Sequence, residues 1–144
     1  MAEIVLDINA TIKHVAKLHN GQAYGDLPYI THLVLVARHF TNPVYVIVAL
    51  LHDAAEDTSI TLDDIRELYG EEIGNAVDAI TRRPQESYLV NYIQRVAINP
   101  IARAVKIADL SENIHSAENW YREFTPLLDR YRRALAYLKG YLDA

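Results

Sequence analysis

The chain contains no cysteine among its 144 residues. That excludes disulfide staples, thiolate catalysis, cysteine-ligated zinc and redox switching, and it suits a reducing cytoplasm. Long apolar runs are also missing. The longest, Val44–Leu51, has eight residues, far below the ~20 that a membrane-spanning helix needs. Met1 to Ile8 carries Glu3 and Asp7 and no base, the wrong charge for a secretory leader. A soluble cytoplasmic protein without a membrane partner is the expectation. Positive charge is in deficit: 14 Lys and Arg face 19 Asp and Glu, for a net charge of −5. A basic nucleic-acid-binding surface is therefore not expected. Glycine and proline number five each, and no stretch is repetitive or linker-like. What is present is a chain that is 51% hydrophobic, enough for one core, and it reads as a single domain over residues 1–144.

The charge is unevenly spread. Residues 1–81 hold 12 acids and 4 bases, whereas residues 82–144 hold 7 acids and 10 bases. Between Asp53 and Asp78 there are 9 acids and one base, Arg66. A solvated acidic helix pair accounts for most of them. A cation-binding front half facing an anion-attracting back half is the sharper reading, and it needs specific residues.

Apolar residues recur at helical spacing. Val5, Ile8, Ile12, Val15 and Ala16 define a first helix closed by Asn20–Gly21. A polar loop over Gln22 to Leu27 follows, and Pro28 opens a second helix running to Phe40. Asn42–Pro43 caps a third, expected to continue through Leu51 into Ala54–Ala55. Thr61 and Asp64 form a capping pattern for a helix to Tyr69, which Gly70 stops, and Glu71–Ile80 makes the next. Ser87–Ile98 and Ile101–Glu118 flank Asn99–Pro100. Thr125–Pro126 opens the last helix, whose stripe runs Leu127, Leu128, Tyr131, Ala134, Leu135, Leu138 and Leu142. The fold class expected is all-α, a compact orthogonal array of about seven helices.

The chemically informative segment is Leu51 to Thr58. On a helix, His52 and Glu56 are four apart, as are Asp53 and Asp57, so all four share one broad face. Carboxylates near a helix C-terminus oppose the macrodipole and repel one another. A divalent cation relieves both, and imidazole with carboxylate suits a first-row metal. A fraying, solvated helix end explains the same spacing equally well. His32, ahead of Leu33–Val36, taken alone reads more readily as a satisfied core residue. Asp109 and Asn113 are four apart, with Lys106 three before Asp109; that turn offers a metal-type carboxylate and a phosphate-type cation, or else a salt-bridged surface.

Taken together, these segments resemble the HD-domain phosphohydrolases, in the RelA/SpoT-like hydrolase branch with its small single-domain relatives. The resemblance rests on His19–Gln22, Pro28–His32, Ala49–Thr58, Ala79–Arg83, Glu86–Tyr88, and Val105–Leu110 with Asn113. It runs from the Ala16 region to about Asn113, with a weaker tail to Leu138. It implies that His32, His52, Asp53 and Asp109 bind one divalent metal ion, Mn²⁺ first, with Fe, Co, Ni or Zn as alternatives. It implies acid–base work for Glu56 and Asp57, and substrate contacts for Asn113 and Ser116. The implied activity is removal of the 3′-pyrophosphate from (p)ppGpp, a small-molecule nucleotide. Arg82, Arg83 and Lys106 are candidates to offset phosphate charge, and Tyr24, Tyr88 and Tyr131 to stack on a base.

One departure bears on substrate. Members that bind the guanosine nucleotide usually carry Arg and Lys just after the Gly–Gln pair, but the loop Gln22 to Leu27 has no base. Tyr24 falls near the stacking Arg and brings no positive charge. A phosphatase or pyrophosphohydrolase acting on NADPH or nucleoside phosphates therefore stands as the alternative, with a nucleotide-binding module without turnover behind it. Oligomeric state has no signature in the sequence.

Overall fold

Helix boundaries in the computed structural model, which describes residues 4–142, follow local capping chemistry. Residues 1–3 of the acidic N-terminus, and the Leu142 side chain at the end of the last stripe, lie outside the described part. Asp7 caps α1 (Ile8–Leu18) by accepting from the Ala10 N–H at 3.0 Å. Asn42 caps α3 (Pro43–Leu51) by accepting from Val44, with Pro43 at the first position. Thr61 and Asp64 form a reciprocal capping box at the start of α5 (Leu62–Tyr69). Gly70, at φ +93°, separates α5 from α6 (Glu71–Ile80), a conformation open to glycine at little cost. Asn99 caps the 20-residue α8 (Pro100–Asn119) through the Ala102 N–H.

The fold is all-α. Among the described residues there are eight α-helices of six residues or more, plus the single turn α4 (Ala54–Asp57). The remaining ones are α2 (Tyr29–Ala37), α7 (Ile93–Ile98) and α9 (Leu128–Leu142). α3 is central, with Val46 through Leu51 all buried, and it packs against α1, α2, α6 and α8. Each large aliphatic side chain enclosed there contributes about 1.5–3 kcal/mol. α9 lies along α8 and buries Ala134 and Leu138. Among the described residues, no helix is long and apolar enough to cross a membrane.

Four sequence expectations change in detail. The helix beginning at Pro43 does not run through Ala55: it ends at Leu51, and His52–Asp53 form a turn before α4. The His52 side chain causes the stop by bonding the Ala49 carbonyl through Nδ1 at 2.6 Å. The helix expected over Ser87–Ile98 is a π turn (Tyr88–Tyr92) leading into α7. A 3₁₀ turn (Arg122–Leu127) precedes α9, so Pro126 sits inside that turn and not at the helix start. The loop after α1 contains a two-residue antiparallel ladder, β1 (Ala23–Tyr24) with β2 (Leu27–Pro28). Gly25 turns this hairpin at φ +62°, and a Cβ there would meet the Tyr121 ring at 2.3 Å. The hairpin is thus seated directly on Tyr121, whose hydroxyl also donates to Asp26 at 2.7 Å, and that seat orients Tyr24.

Candidate metal centre and substrate cavity

Three elements converge beneath the hairpin. α2 brings His32, the end of α3 brings His52, and α8 brings Asp109, all buried. One donor atom from each lies within 4.8 Å of the others. His32 Nε2 is 2.8 Å from Asp109 Oδ1, and His52 Nε2 is 3.3 Å from the same oxygen and 3.0 Å from Asp53 Oδ2. The two imidazole centroids are 5.8 Å apart. The bond from His52 Nδ1 to the Ala49 carbonyl requires a proton on Nδ1, so Nε2 is the nitrogen that faces the carboxylates and takes either a proton or a metal ion. That Nε2 is buried and has no hydrogen-bond partner among the described residues.

The electrostatics are those of a site built around a cation. Burial disfavours a charged His52, but Asp53 and Asp109 outweigh it and raise the imidazole pKa well above its usual value. Burial likewise opposes ionisation of Asp53, but His52 outweighs it and holds the carboxyl down at about 2. For Asp109, Lys106 and both histidines overcome burial and keep it far below the ordinary range. Lys106 Nζ donates to Asp109 Oδ2 at 3.0 Å and lies 5.4 Å from the centre of the Tyr92 ring. In the absence of an ion, a proton on His52 supplies the positive charge the carboxylates demand. A divalent ion exchanges for that proton, so the two-imidazole, carboxylate-rich donor set fits one.

A second carboxylate group adjoins the first: Asp53, Glu56 and Asp57 come within 4.8 Å of one another. Tyr29 donates its hydroxyl to Asp53 Oδ2. Glu56 Oε1 accepts the Arg82 backbone N–H. Burial raises the Glu56 pKa; the Arg82 N–H partly offsets this and the Asp53 charge adds to it. Asp57 is raised by burial and by Asp53. Gln22 fastens this turn, donating to the Asp57 carbonyl at 2.8 Å while its own Oε1 accepts from His19.

A cavity of about 230 Å³ opens over the cluster. Of the sequence candidates for substrate contact, Tyr24, Tyr88, Lys106, Asn113 and Tyr131 line it together with His32, Asp53 and Asp109. Tyr24 stacks on His32 at 4.3 Å and 12°, and donates to Asn113 Oδ1 at 2.6 Å. Three substrate-contact candidates are not in this cavity. Arg82 and Arg83 line a neighbouring recess with Glu56, and Ser116 lines a separate cavity beyond Tyr24. Tyr29, Leu127 and Arg130 line the cavity and were missed by sequence reasoning. Tyr29 could have been found from its place three residues before His32, on the same helix face. Arg130 carries no local signal, and it reaches the site because α9 folds back along α8; its guanidinium lies 4.8 Å from the centre of the Tyr88 ring.

An all-α fold that gathers two histidines and an aspartate from three helices into one buried cluster is HD-domain-like. In both sequence and structure the chain is homologous to members of the RelA/SpoT family. It is 30% identical over 116 residues, 72% of its length, to a probable GTP pyrophosphokinase of Mycobacterium leprae. It is 31% identical over 119 residues to a GTP pyrophosphokinase of Streptomyces antibioticus. It spans only 14% of the length of each of these curated relatives. Among solved structures, a metazoan ortholog of SpoT that hydrolyzes ppGpp superposes with a TM-score of 0.76 at 21% identity, covering 96% of this chain and 88% of that one. No protein-family model matches the chain.

Proposed function

We propose that the chain is a metal-dependent nucleotide phosphohydrolase that removes the 3′-pyrophosphate from (p)ppGpp-like guanosine nucleotides. The observation that carries this reading is the buried, unpartnered Nε2 of His52 beside Asp53 and Asp109, two carboxylates that line a cavity also presenting Lys106 and Arg130. The homology to RelA/SpoT proteins and the likeness to a solved ppGpp hydrolase support it.

His32, His52, Asp53 and Asp109 hold one divalent ion, Mn²⁺ in the first instance, since mixed nitrogen and oxygen donors serve several first-row metals. When bound, the ion polarises the phosphoryl group and makes water more acidic. Glu56, with its pKa raised by burial and one oxygen oriented by the Arg82 N–H, accepts the proton of the attacking water. Asp57 holds that water or carries the proton onward, and the proton ends on the ribose 3′-oxygen as its bond to phosphorus breaks. Lys106 and Arg130 offset the charge of the departing pyrophosphate. Asn113, fixed by Tyr24, and Tyr131 orient the ribose side of the substrate. Tyr24 braces the His32 ring through the stack.

One observation favours a second reading. Tyr24 is committed to His32 and Asn113, and its loop has no base, so NADPH or a nucleoside phosphate is the alternative substrate. The test is product analysis with Mn²⁺ and a panel of ppGpp, pppGpp, NADPH and nucleoside phosphates. Pyrophosphate is expected from the first two, and Glu56→Gln is expected to keep the ion while losing at least ~10²-fold in turnover. Phosphate released from NADPH alone would move the assignment to the second reading. Release from none would leave only a binding module.

A further inference from the structure

α4 is a single turn of four residues, and it carries both Glu56 and Asp57. So short a helix does not hold its own geometry in water, and the direction of its side chains is set from outside. Two tethers reach it from separate parts of the chain. The Arg82 backbone N–H fastens the Glu56 carboxylate, and the Gln22 side chain fastens the Asp57 carbonyl at 2.8 Å. That carbonyl closes the turn, where no intrahelical donor is left for it.

The second tether begins where α1 ends. His19 is the C-cap, Gly21 follows at φ +84°, and the Gln22 N–H returns to the His19 carbonyl at 2.9 Å. This turn brings Gln22 Oε1 to 2.7 Å from His19 Nδ1. The amide nitrogen of Gln22 is committed to Asp57, so its oxygen faces His19 and Nδ1 carries the donated proton. His19 is only 2% exposed, and its Nε2 is buried with no partner among the described residues. The ring also stacks on Tyr29 at 5.0 Å and 30°, and Tyr29 is the residue that donates to Asp53.

We propose that His19 is a positioning residue for the reaction: through Nδ1 it fixes the Gln22 amide, and Gln22 in turn holds α4 so that Asp57 faces the attacking water. The terminal torsion of glutamine is broad and two-fold, so an unheld amide also presents its oxygen to the Asp57 carbonyl, where it repels. One buried donor on the far side of the amide removes that alternative. The proposal rests on the hydrolase reading and adds to it a residue that belongs neither to the metal cluster nor to its cavity.

Two substitutions separate the nitrogens of the ring. In His19→Asn the side-chain nitrogen falls where Nδ1 stands, and in His19→Gln it falls where Nε2 stands. Both lose the stack on Tyr29, and the donor to Gln22 survives in the first alone. The full chain with Mn²⁺ is assayed on ppGpp. Hydrogen exchange is followed at the Asp57 and Thr58 amides, which bond to the Asp53 and Ala54 carbonyls. His19→Gln is expected to lose roughly 10–10²-fold in kcat with KM and bound metal unchanged, and to speed exchange at those two amides about fivefold. His19→Asn recovers most of both. Gln22→Met keeps the length of its side chain and removes both of its bonds; it matches His19→Gln and adds nothing when combined with it. Gln22 is half-buried, so Gln22→Met reads the tether even where a His19 variant fails to fold. Equal losses in His19→Asn and His19→Gln, a change confined to KM or to metal content, or additive losses in the double variant overturns the proposal. Exchange needs no turnover. A wild-type chain inert toward ppGpp, with α4 exchange still following the donor, would sink the hydrolase reading and leave the tether standing. An active wild-type chain whose variants keep kcat and exchange unchanged would do the reverse.

Discussion

In the α5–α6 hairpin, Asp63, Asp64, Glu67, Glu71 and Glu72 all stand in water, whereas Asp109, 5% exposed at its side chain, is enclosed with His32, His52 and Lys106. Both regions are acid-rich, and both drew attention as charge. Four of the hairpin acids, Asp63, Asp64, Glu71 and Glu72, serve helix ends: they fill first turns, where negative charge favours the dipole. The one base there, Arg66, pairs with Asp78 across the hairpin at 2.7 Å. The enclosed carboxylates have no such use and instead oppose their own burial. They are stable because cationic groups surround them, Lys106 on the same helix and His52 next to Asp53, joined by His32 from α2. Charge density does not mark a site; carboxylates enclosed against cationic partners do.

The contrast breaks most visibly at Asp109. Asp109→Ala removes the oxygen shared by both histidines and strands the Lys106 ammonium in the interior. Loss of the bound ion by elemental analysis is expected, with a destabilisation of about 3–5 kcal/mol in urea unfolding. The same truncation at Glu71 should do neither. A milder contrast comes from pH. The Asp53 carboxyl is held at about 2 in the fold, below its unfolded value of roughly 3.9. Its contribution is therefore present above that unfolded value and is lost as pH falls toward 2. His52 has the opposite sign: its pKa is raised, so its contribution is present below the unfolded value of about 6.5 and lost as pH rises through the raised value. Thermal melts of chelator-treated protein should fall between roughly pH 4 and 2, and Asp53→Asn should flatten that decline. A flat wild-type profile there would mean that Asp53 is not held as described. The smallest effect sharpens the other side: Glu67→Gln with Glu72→Gln should change stability by no more than about 0.5 kcal/mol, and urea midpoints check it.

Features that depend on a few neighbouring residues were readable from the chain. The caps at Asn42 and Thr61 and the stop at Gly70 are each decided by one side chain or one backbone angle, and they sit where expected; Asn99, expected only as a break between helices, caps α8 as well. The His52–Asp53 break was not readable, because it depends on an imidazole turning back onto its own helix. The π turn at Tyr88 was missed for a related reason: Ser87 and Asn91 bond reciprocally and displace the regular ladder. The convergence of His32, His52 and Asp109 came from a family resemblance and not from spacing. Arg130, on a helix with no motif, became visible only through the docking of α9. Ser116 and Arg82 show the converse, since adjacency to a site in sequence did not put them in its cavity.

Lys106 has one more consequence. Burial opposes its charge, but the tyrosine rings and Asp109 overcome that and drive its pKa upward. An amine that stays protonated has no free electron pair and is a poor nucleophile. Reagents that acylate the exposed amines of Lys13, Lys17 and Lys139 will therefore pass Lys106 by, and the chain can be surface-labelled without touching the cation beside its acidic cluster.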